Sequence, residues 1–364
     1  MQLEIMTDRR QRVLAAIRRG ASDRVPLDFS ANPATLARLQ RDLGCATHAE
    51  LLRRLGVDIV DLRDVAAPRY CGPVPRETVG ADGVRQSFWG WRTKRMDTAT
   101  GPEECFCEFL LQGCETIEEL AAHRWPSPDW FDFTGFGEQA AAWGEFAVMA
   151  TGASVFQHAT FLRGQDRLLM DMAAEPALAE FVMDRFTEFY VEYFDRLLTA
   201  ARGQVDILRI ADDLGMQDRL LIGPDLFDRF VAPRLRRLVA LAHGHGVAVM
   251  FHSCGAIVPL IDRLIDLGID VLDPLQAAAK DMEPALLKQR FGARLCLHGG
   301  IDTQHLLPHG SPEDVRREVR RRSAILGAGG GYILAPCHVL QTDVPTANVL
   351  AMYETGWENG RANR

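Results

Sequence analysis

Cysteine is scarce, with 8 in 364 residues, which is too few for a disulfide scaffold. Long apolar runs are missing, none reaching the ~18 residues of a membrane-spanning helix. No Lys/Arg cluster is longer than Arg320-Arg321-Arg322, and 41 basic against 49 acidic residues give a formal charge of −8. The basic footprint of a nucleic-acid binder is therefore absent. No repeat recurs at a fixed period of 20–50 residues. Residues 1–19 read as a charged helical segment without an apolar signal core. With 47% hydrophobic and 25% charged residues, the composition is that of an ordinary globular chain. These features predict a folded protein of a reducing cytoplasm, with neither a nucleic-acid nor a membrane partner.

What the chain does contain is an alternation of strand and helix patterns. From residue 145 onward, short β-rich runs at 145–152, 206–213, 247–254, 271–276, 294–301 and 331–338 are each followed by a 3.6-periodic segment. Start signals precede the helices: Gly223-Pro224-Asp225 before 226–243, and Ser311-Pro312-Glu313-Asp314 before 315–326. Two earlier runs, 25–30 and 57–62, with a helix at 33–43 between them, bring the strands to eight. The pattern predicts an α/β fold, a single (β/α)8 TIM-type barrel over 1–364 with an N-terminal helical segment. Residues 70–120, rich in Gly, Thr and aromatics, break the alternation and predict a β-hairpin insertion that caps one end. Residues 126–136 read as a loop.

In such a barrel the chemistry sits at the C-terminal ends of the strands. The run 247–254 ends in His252-Ser253-Cys254, and the side-chain period of two puts His252 and Cys254 on one face. The last strand ends in Cys337-His338 at the same rim. An imidazole and two thiolates are a common zinc donor set with one position left open, although a strand-end cysteine can equally be packing. Cys105 and Cys107, without a nearby histidine, read as structural. In the run 206–213, Leu208 and Ile210 should face the helices, leaving Arg209, Ala211 and Asp213 inward; Asp213 is better aimed than Asp212, its alternative being a helix cap. Gln276, His298 and Asp302 are further rim candidates, His298 being equally compatible with a satisfied core histidine. Gly329-Gly330-Gly331 precedes a strand and reads as a tight turn, not a phosphate cradle.

The runs Ala211-Asp212-Asp213-Leu214-Gly215-Met216-Gln217, His252-Ser253-Cys254-Gly255, His298-Gly299-Gly300-Ile301-Asp302 and Gly330-Gly331-Tyr332-Ile333-Leu334-Ala335-Pro336-Cys337-His338 together resemble the uroporphyrinogen decarboxylase superfamily. They resemble most its methyltransferase branch, the methylcobamide:coenzyme M methyltransferases and related corrinoid-linked demethylation enzymes. The resemblance covers most of the chain and implies the distorted barrel. It also implies zinc on His252, Cys254 and Cys337, with Asp213 and His298 positioning substrate or moving protons. The Arg-rich N-terminal loop of the true decarboxylases has no counterpart here, because no Arg precedes Arg38 after Asp28. The implied activity is zinc-dependent methyl transfer between a small donor, such as a methyl ether, or methylcobamide and an acceptor such as a thiol. The corrinoid (cobalamin) is expected on a separate partner protein, since no Asp-x-His-x-x-Gly motif occurs, and a homodimer is compatible with these features. The alternatives are a metal-independent decarboxylase of uroporphyrinogen or another carboxylated aromatic, and a non-catalytic scaffold. Residues 88–109 and 143–161, with Trp89 and Trp91, are expected to roof the site.

Overall fold

The apolar runs of the sequence become the staves of one curled sheet. The computed structural model describes residues 8–98 and 101–359. Seven strands, β1 (Ile59–Asp61), β2 (Ala147–Ala153), β3 (Ile207–Ala211), β4 (Ala248–His252), β5 (Val271–Leu275), β6 (Cys296–Ile301) and β7 (Tyr332–Pro336), pair in chain order. Every pairing is parallel. Helices connect these strands and cover the outer face, so the strands are buried on both sides and read as nearly continuous apolar runs.

The expected first strand, 25–30, is an extended segment that makes one isolated bridge, Leu27 to Leu334 of β7. On its other side Leu27 O accepts from Asp58 N at 2.8 Å, so the segment links the two outer strands of the sheet. It does not build a longer ladder because Pro26 has no N–H and the Leu27 N–H goes to the Asp58 carboxylate at 2.8 Å. The helix expected at 33–43 is Pro33–Leu43, with Asn32 accepting from Thr35 N at its start and Gly44 in the left-handed conformation at its end. The helix after β6 runs Pro312–Leu326 behind a Ser311/Asp314 capping box, which satisfies two of the backbone donors left open at its start.

Period-two alternation divides the interior into two levels. Ile59, Ala147, Ile207, Met250, Val271, Cys296 and Ile333 pack around Val13, Ala16 and Ile17 of the first helix, Arg9–Ile17, which plugs the N-terminal end of the sheet. Two residues further along their strands, Asp61, Arg209, His252, Asp273 and His298 point the same way. Thus the upper half of the interior is polar and heavily charged.

Between β1 and β2 lies a four-stranded antiparallel sheet, Glu77–Val79, Arg85–Ser87, Arg92–Thr98 and Gly101–Glu108. Its anchor is Trp89, only 3% exposed and stacked on Phe186 at 4.6 Å, with Phe189 edge-on at 4.7 Å, both from the helix Pro176–Ala201. The loop expected at 126–136 contains a short 3-10 turn, Pro128–Trp130, and a two-residue strand that pairs with Arg69–Tyr70. Among the described residues, no helix is long and apolar enough to cross a membrane.

Candidate metal centre

Three loops meet above the charged level. The loop after β3 carries Asp213, the end of β4 carries His252 and Cys254, and the segment after β7 carries Cys337 and His338. Glycine lets the first two loops touch. Gly255 has a φ of +89°, and a Cβ there would lie 2.5 Å from Met216 O, while one on Gly215 would lie 2.6 Å from Cys254 O. Side chains at either position would push Asp213 and Cys254 apart. The backbone is tied further by Ser253 Oγ, which accepts from Leu214 N at 2.9 Å, and by Gln276 Oε1, which accepts from Gly255 N at 2.8 Å.

The result is a donor cluster. Asp213, His252 and Cys254 each offer a ligand atom within 4.8 Å of the other two. His252 Nε2 lies 3.6 Å from Cys254 Sγ and 3.7 Å from Asp213 Oδ1. A tetrahedral zinc with bonds of about 2.3 Å to sulfur and about 2.1 Å to nitrogen would hold those two atoms about 3.6 Å apart, so this donor set fits such an ion. Asp213 is fixed by Gln157 Nε2, which donates at 2.9 Å, and by Cys254 N at 3.0 Å. Cys337 is buried beside the cluster, with its thiol donating to Leu275 O at 3.1 Å. It lies outside the group of three. Burial pushes the Cys254 thiol well up from its usual range, and the charges of Asp213 and Asp273 add to the shift. Burial likewise raises Cys337 to about 12. As bare groups both stay protonated at neutral pH, so ligation would have to displace a proton.

Beneath the cluster Asp273 is a hub. Its Oδ2 lies 2.9 Å from His252 Nδ1 and 2.7 Å from Arg209 Nε, and its Oδ1 lies 2.8 Å from His298 Nδ1. The last is a close ion contact off the hydrogen-bond axis of the ring. His298 Nε2 in turn lies 2.9 Å from Asp28 Oδ2. Burial works against charge on His298, but Asp273 and Asp28 outweigh it and raise its pKa to about 9. Burial also works against charge on Asp273, yet Arg209, His298 and His252 hold its pKa well below the usual carboxylate range. Arg209 Nη2 also approaches His252 Nδ1, at 2.6 Å. With Asp273 accepting, we assign the His252 proton to Nδ1, which leaves the Nε2 lone pair toward Cys254 and Asp213.

Two cavities flank the cluster. The deeper, about 240 Å³, is walled by the charged level together with Met149, Gln157 and the Cys337–His338 turn. The outer, about 410 Å³, shares Cys337 and His338 and is lined by Cys254, Asp302, Asp343, Thr303 and four glutamines: Gln217, Gln276, Gln304 and Gln341.

Several sequence candidates take other parts. Asp212, fully buried, accepts from Ser154 Oγ and from the backbone N–H groups of Val155, Phe156 and Gln157. It caps the helix after β2, the role weighed for its neighbour. Asp302 accepts from three consecutive backbone N–H groups, Gln304 to Leu306. The Gly329–Gly331 run is a turn with all three residues at positive φ. Cys105 and Cys107 lie in the antiparallel sheet, apart from the donor cluster. Trp89 and Trp91 correct an expectation. They stack on each other at 5.7 Å and pack against outer helices, and neither lines a cavity beside the donors. Of residues 143–161, Met149 and Gln157 do. The roles of Asp28 and Asp273 had no signal of their own in sequence, since neither belongs to a metal-like spacing.

Residues 139–358 match the family model described as "Uroporphyrinogen decarboxylase (URO-D)". Among curated proteins the chain is similar to "Methylcobamide:CoM methyltransferase MtbA" of Methanosarcina mazei, 24% identical over 184 residues, which are 49% of this chain and 48% of that protein. The match thus spans about half the length of that relative. Among solved structures the fold is similar to "methyltransferase from Methanosarcina mazei", with a TM-score of 0.66, 19% identity and coverage of 96% of this chain and 98% of that one. The chain belongs to the uroporphyrinogen decarboxylase family and, within it, resembles the methyltransferase branch.

Proposed function

We propose that this protein is a zinc-dependent methyltransferase of the corrinoid-linked type. The observation that carries the reading is the convergence of His252 Nε2, Cys254 Sγ and Asp213 Oδ1 within 4.8 Å, at the C-terminal rim where barrel enzymes place their chemistry. His252, Cys254 and Cys337 are the proposed ligands, the last after its thiol leaves Leu275 O. Zinc bound there would supply Lewis acidity, either toward an acceptor thiol or toward the oxygen of a methyl ether.

The chain's own residues supply the rest. Asp273 holds the imidazole of His252 in one tautomer, and Arg209 and His298 hold Asp273. Asp213, at the mouth of the deeper cavity, is placed to accept the proton that an entering thiol must lose. In the direction from methylcobamide to thiol, the corrinoid would supply the methyl group as a cation equivalent and would keep the bonding electron pair. A carbon–sulfur bond forms, and the thiol proton passes by way of Asp213 to solvent. The corrinoid is proposed to arrive on a separate partner protein, meeting the rim from the outer cavity.

The family's decarboxylase chemistry is the second reading, and the family match itself favours it. Against it stands the segment 29–37, which offers no arginine, and the next one, Arg38, is spent on Thr342 O and Val344 O. A polycarboxylate would find few partners there. The test is a methyl-transfer assay. Zinc-loaded protein with methylcobalamin and a small thiol should consume the cobalt–methyl absorbance and yield the thioether, and Cys254→Ser should not. Carbon dioxide released from a carboxylated aromatic by metal-free protein, with no methyl transfer, would favour the second reading.

A further inference from the structure

The two cavities beside the donor cluster share a property that the donors alone do not require. The deeper one is lined by five carboxylates, Asp28, Asp61, Asp64, Asp213 and Asp273, and by two arginines, Arg63 and Arg209. Arg209 is committed inside the site, paired with Asp273 at 2.7 Å, and Arg63, exposed at the rim, is partnered by Asp61 at 3.1 Å. His298, charged below a pKa of about 9, is buried between Asp28 and Asp273. Five negative charges against three positive ones leave the lining about two charges negative. The outer cavity adds Asp302 and Asp343 and, among the described residues, no lysine or arginine. A divalent cation held by Cys254 and Cys337 as thiolates would change this sum little, because the two thiolates offset it.

A ligand bearing a sulfonate, phosphate or carboxylate would therefore lose its hydration shell among carboxylates, with the rim Arg63, already paired with Asp61, as its one arginine partner among the described lining residues. A ligand bearing an ammonium group would meet carboxylates on several sides. We infer that the small thiol or methylated molecule that reaches the donor cluster carries no anionic group, and that a cationic one binds more tightly than a neutral one of the same size. This rests on the methyl-transfer reading of the site and narrows its substrate class, setting this chain apart from a relative whose name includes coenzyme M.

The test uses three two-carbon thiols of nearly equal size: cysteamine (cationic), 2-mercaptoethanol (neutral) and 2-mercaptoethanesulfonate (anionic). Their dissociation constants are measured by calorimetry on the zinc-loaded protein at low ionic strength and again near 0.15 M salt. Cysteamine should bind roughly tenfold or more tightly than the sulfonate at low salt, and the gap should shrink with salt as screening sets in. Thiol acidity differs among the probes, so the decisive control is Asp64→Lys. Asp64 is exposed at the cavity rim, and the reversal of its charge should narrow the gap several-fold. Equal or tighter binding of the sulfonate overturns the inference. So does a gap indifferent to both salt and Asp64→Lys. If all three thiols bind the wild type no better than they bind Cys254→Ser, the metal reading itself falls and the inference falls with it; zinc-dependent binding that favours the sulfonate overturns the inference alone.

Discussion

Two buried carboxylates, each held by two cations, sit at opposite ends of the same sheet. Asp58, fully buried just before β1, accepts from Arg12 at 2.6 Å and from Arg24 at 2.7 and 2.8 Å, and from Leu27 N. Its fixed donors close on themselves, with Asp23 taking a further Arg12 N–H at 2.7 Å. Asp273, at the other end, is held by Arg209 and His298, but its third partner, His252, leaves a ring nitrogen pointing at Cys254 and Asp213. The same chemistry thus makes a clamp at one end and a lever at the other. The difference is whether the last group in the network is itself satisfied by the protein.

The comparison breaks most severely at Asp58. Replacing it with Ala leaves Arg24 buried without its carboxylate and removes one of the two carboxylates that hold Arg12, which should cost about 3–5 kcal/mol of stability. Chemical denaturation reads that loss, while zinc bound per folded chain should stay at the wild-type value. If metal content falls in proportion to stability, the two clusters are not functionally separate.

Asp273→Asn should act on both. Stability drops because Arg209 and His298 lose a charge, and zinc affinity drops roughly 10- to 100-fold because His252 loses its orienting carboxylate. Competition against a chelator at fixed folded fraction measures the second effect apart from the first. An unchanged affinity would show that Asp273 is a clamp like Asp58.

A smaller effect follows from His298. Its pKa in the folded protein is raised to about 9, against about 6.5 unfolded. The stability it contributes is therefore fully present below about pH 6.5 and is lost as pH rises through about 9, on the order of 1–3 kcal/mol in total. Urea midpoints from pH 6 to 9.5 should fall in wild type and flatten in His298→Gln. A midpoint that rises over this window contradicts the charged state of His298. The smallest effect is expected from Cys105→Ser with Cys107→Ser, which should leave zinc content unchanged, since both lie in the antiparallel sheet away from the donors.

Much of this was legible in the sequence because it is local. Apolar runs of strand length, the Asn32-Pro33 helix start and the alternation that turns Arg209 inward need only near neighbours to be read. The pairing of His252 with Cys254 is local too. What was not legible is long-range. Asp28 meets His298 across 270 residues, and nothing in the Asp28 segment announces it. The segment 25–30 looks like a strand but yields a ladder bond to the Asp58 side chain. Trp89 and Trp91 have the composition of a binding roof, but packing against the helix Pro176–Ala201 claims their faces. Asp212 and Asp213 are adjacent and chemically identical; the period of two aims Asp213 inward, but that Asp212 caps the helix after β2 depends on residues 55 to 58 positions away.

The central claim is that the network ending in His252 Nε2 exists to hold a metal. Elemental analysis of the purified protein tests it most directly. About one zinc per chain is expected in wild type, with loss in Cys254→Ser and retention in the folded fraction of Asp58→Ala. Wild-type protein that takes up no zinc even when it is supplied in excess, or a Cys254→Ser protein that binds it equally well, would contradict the account.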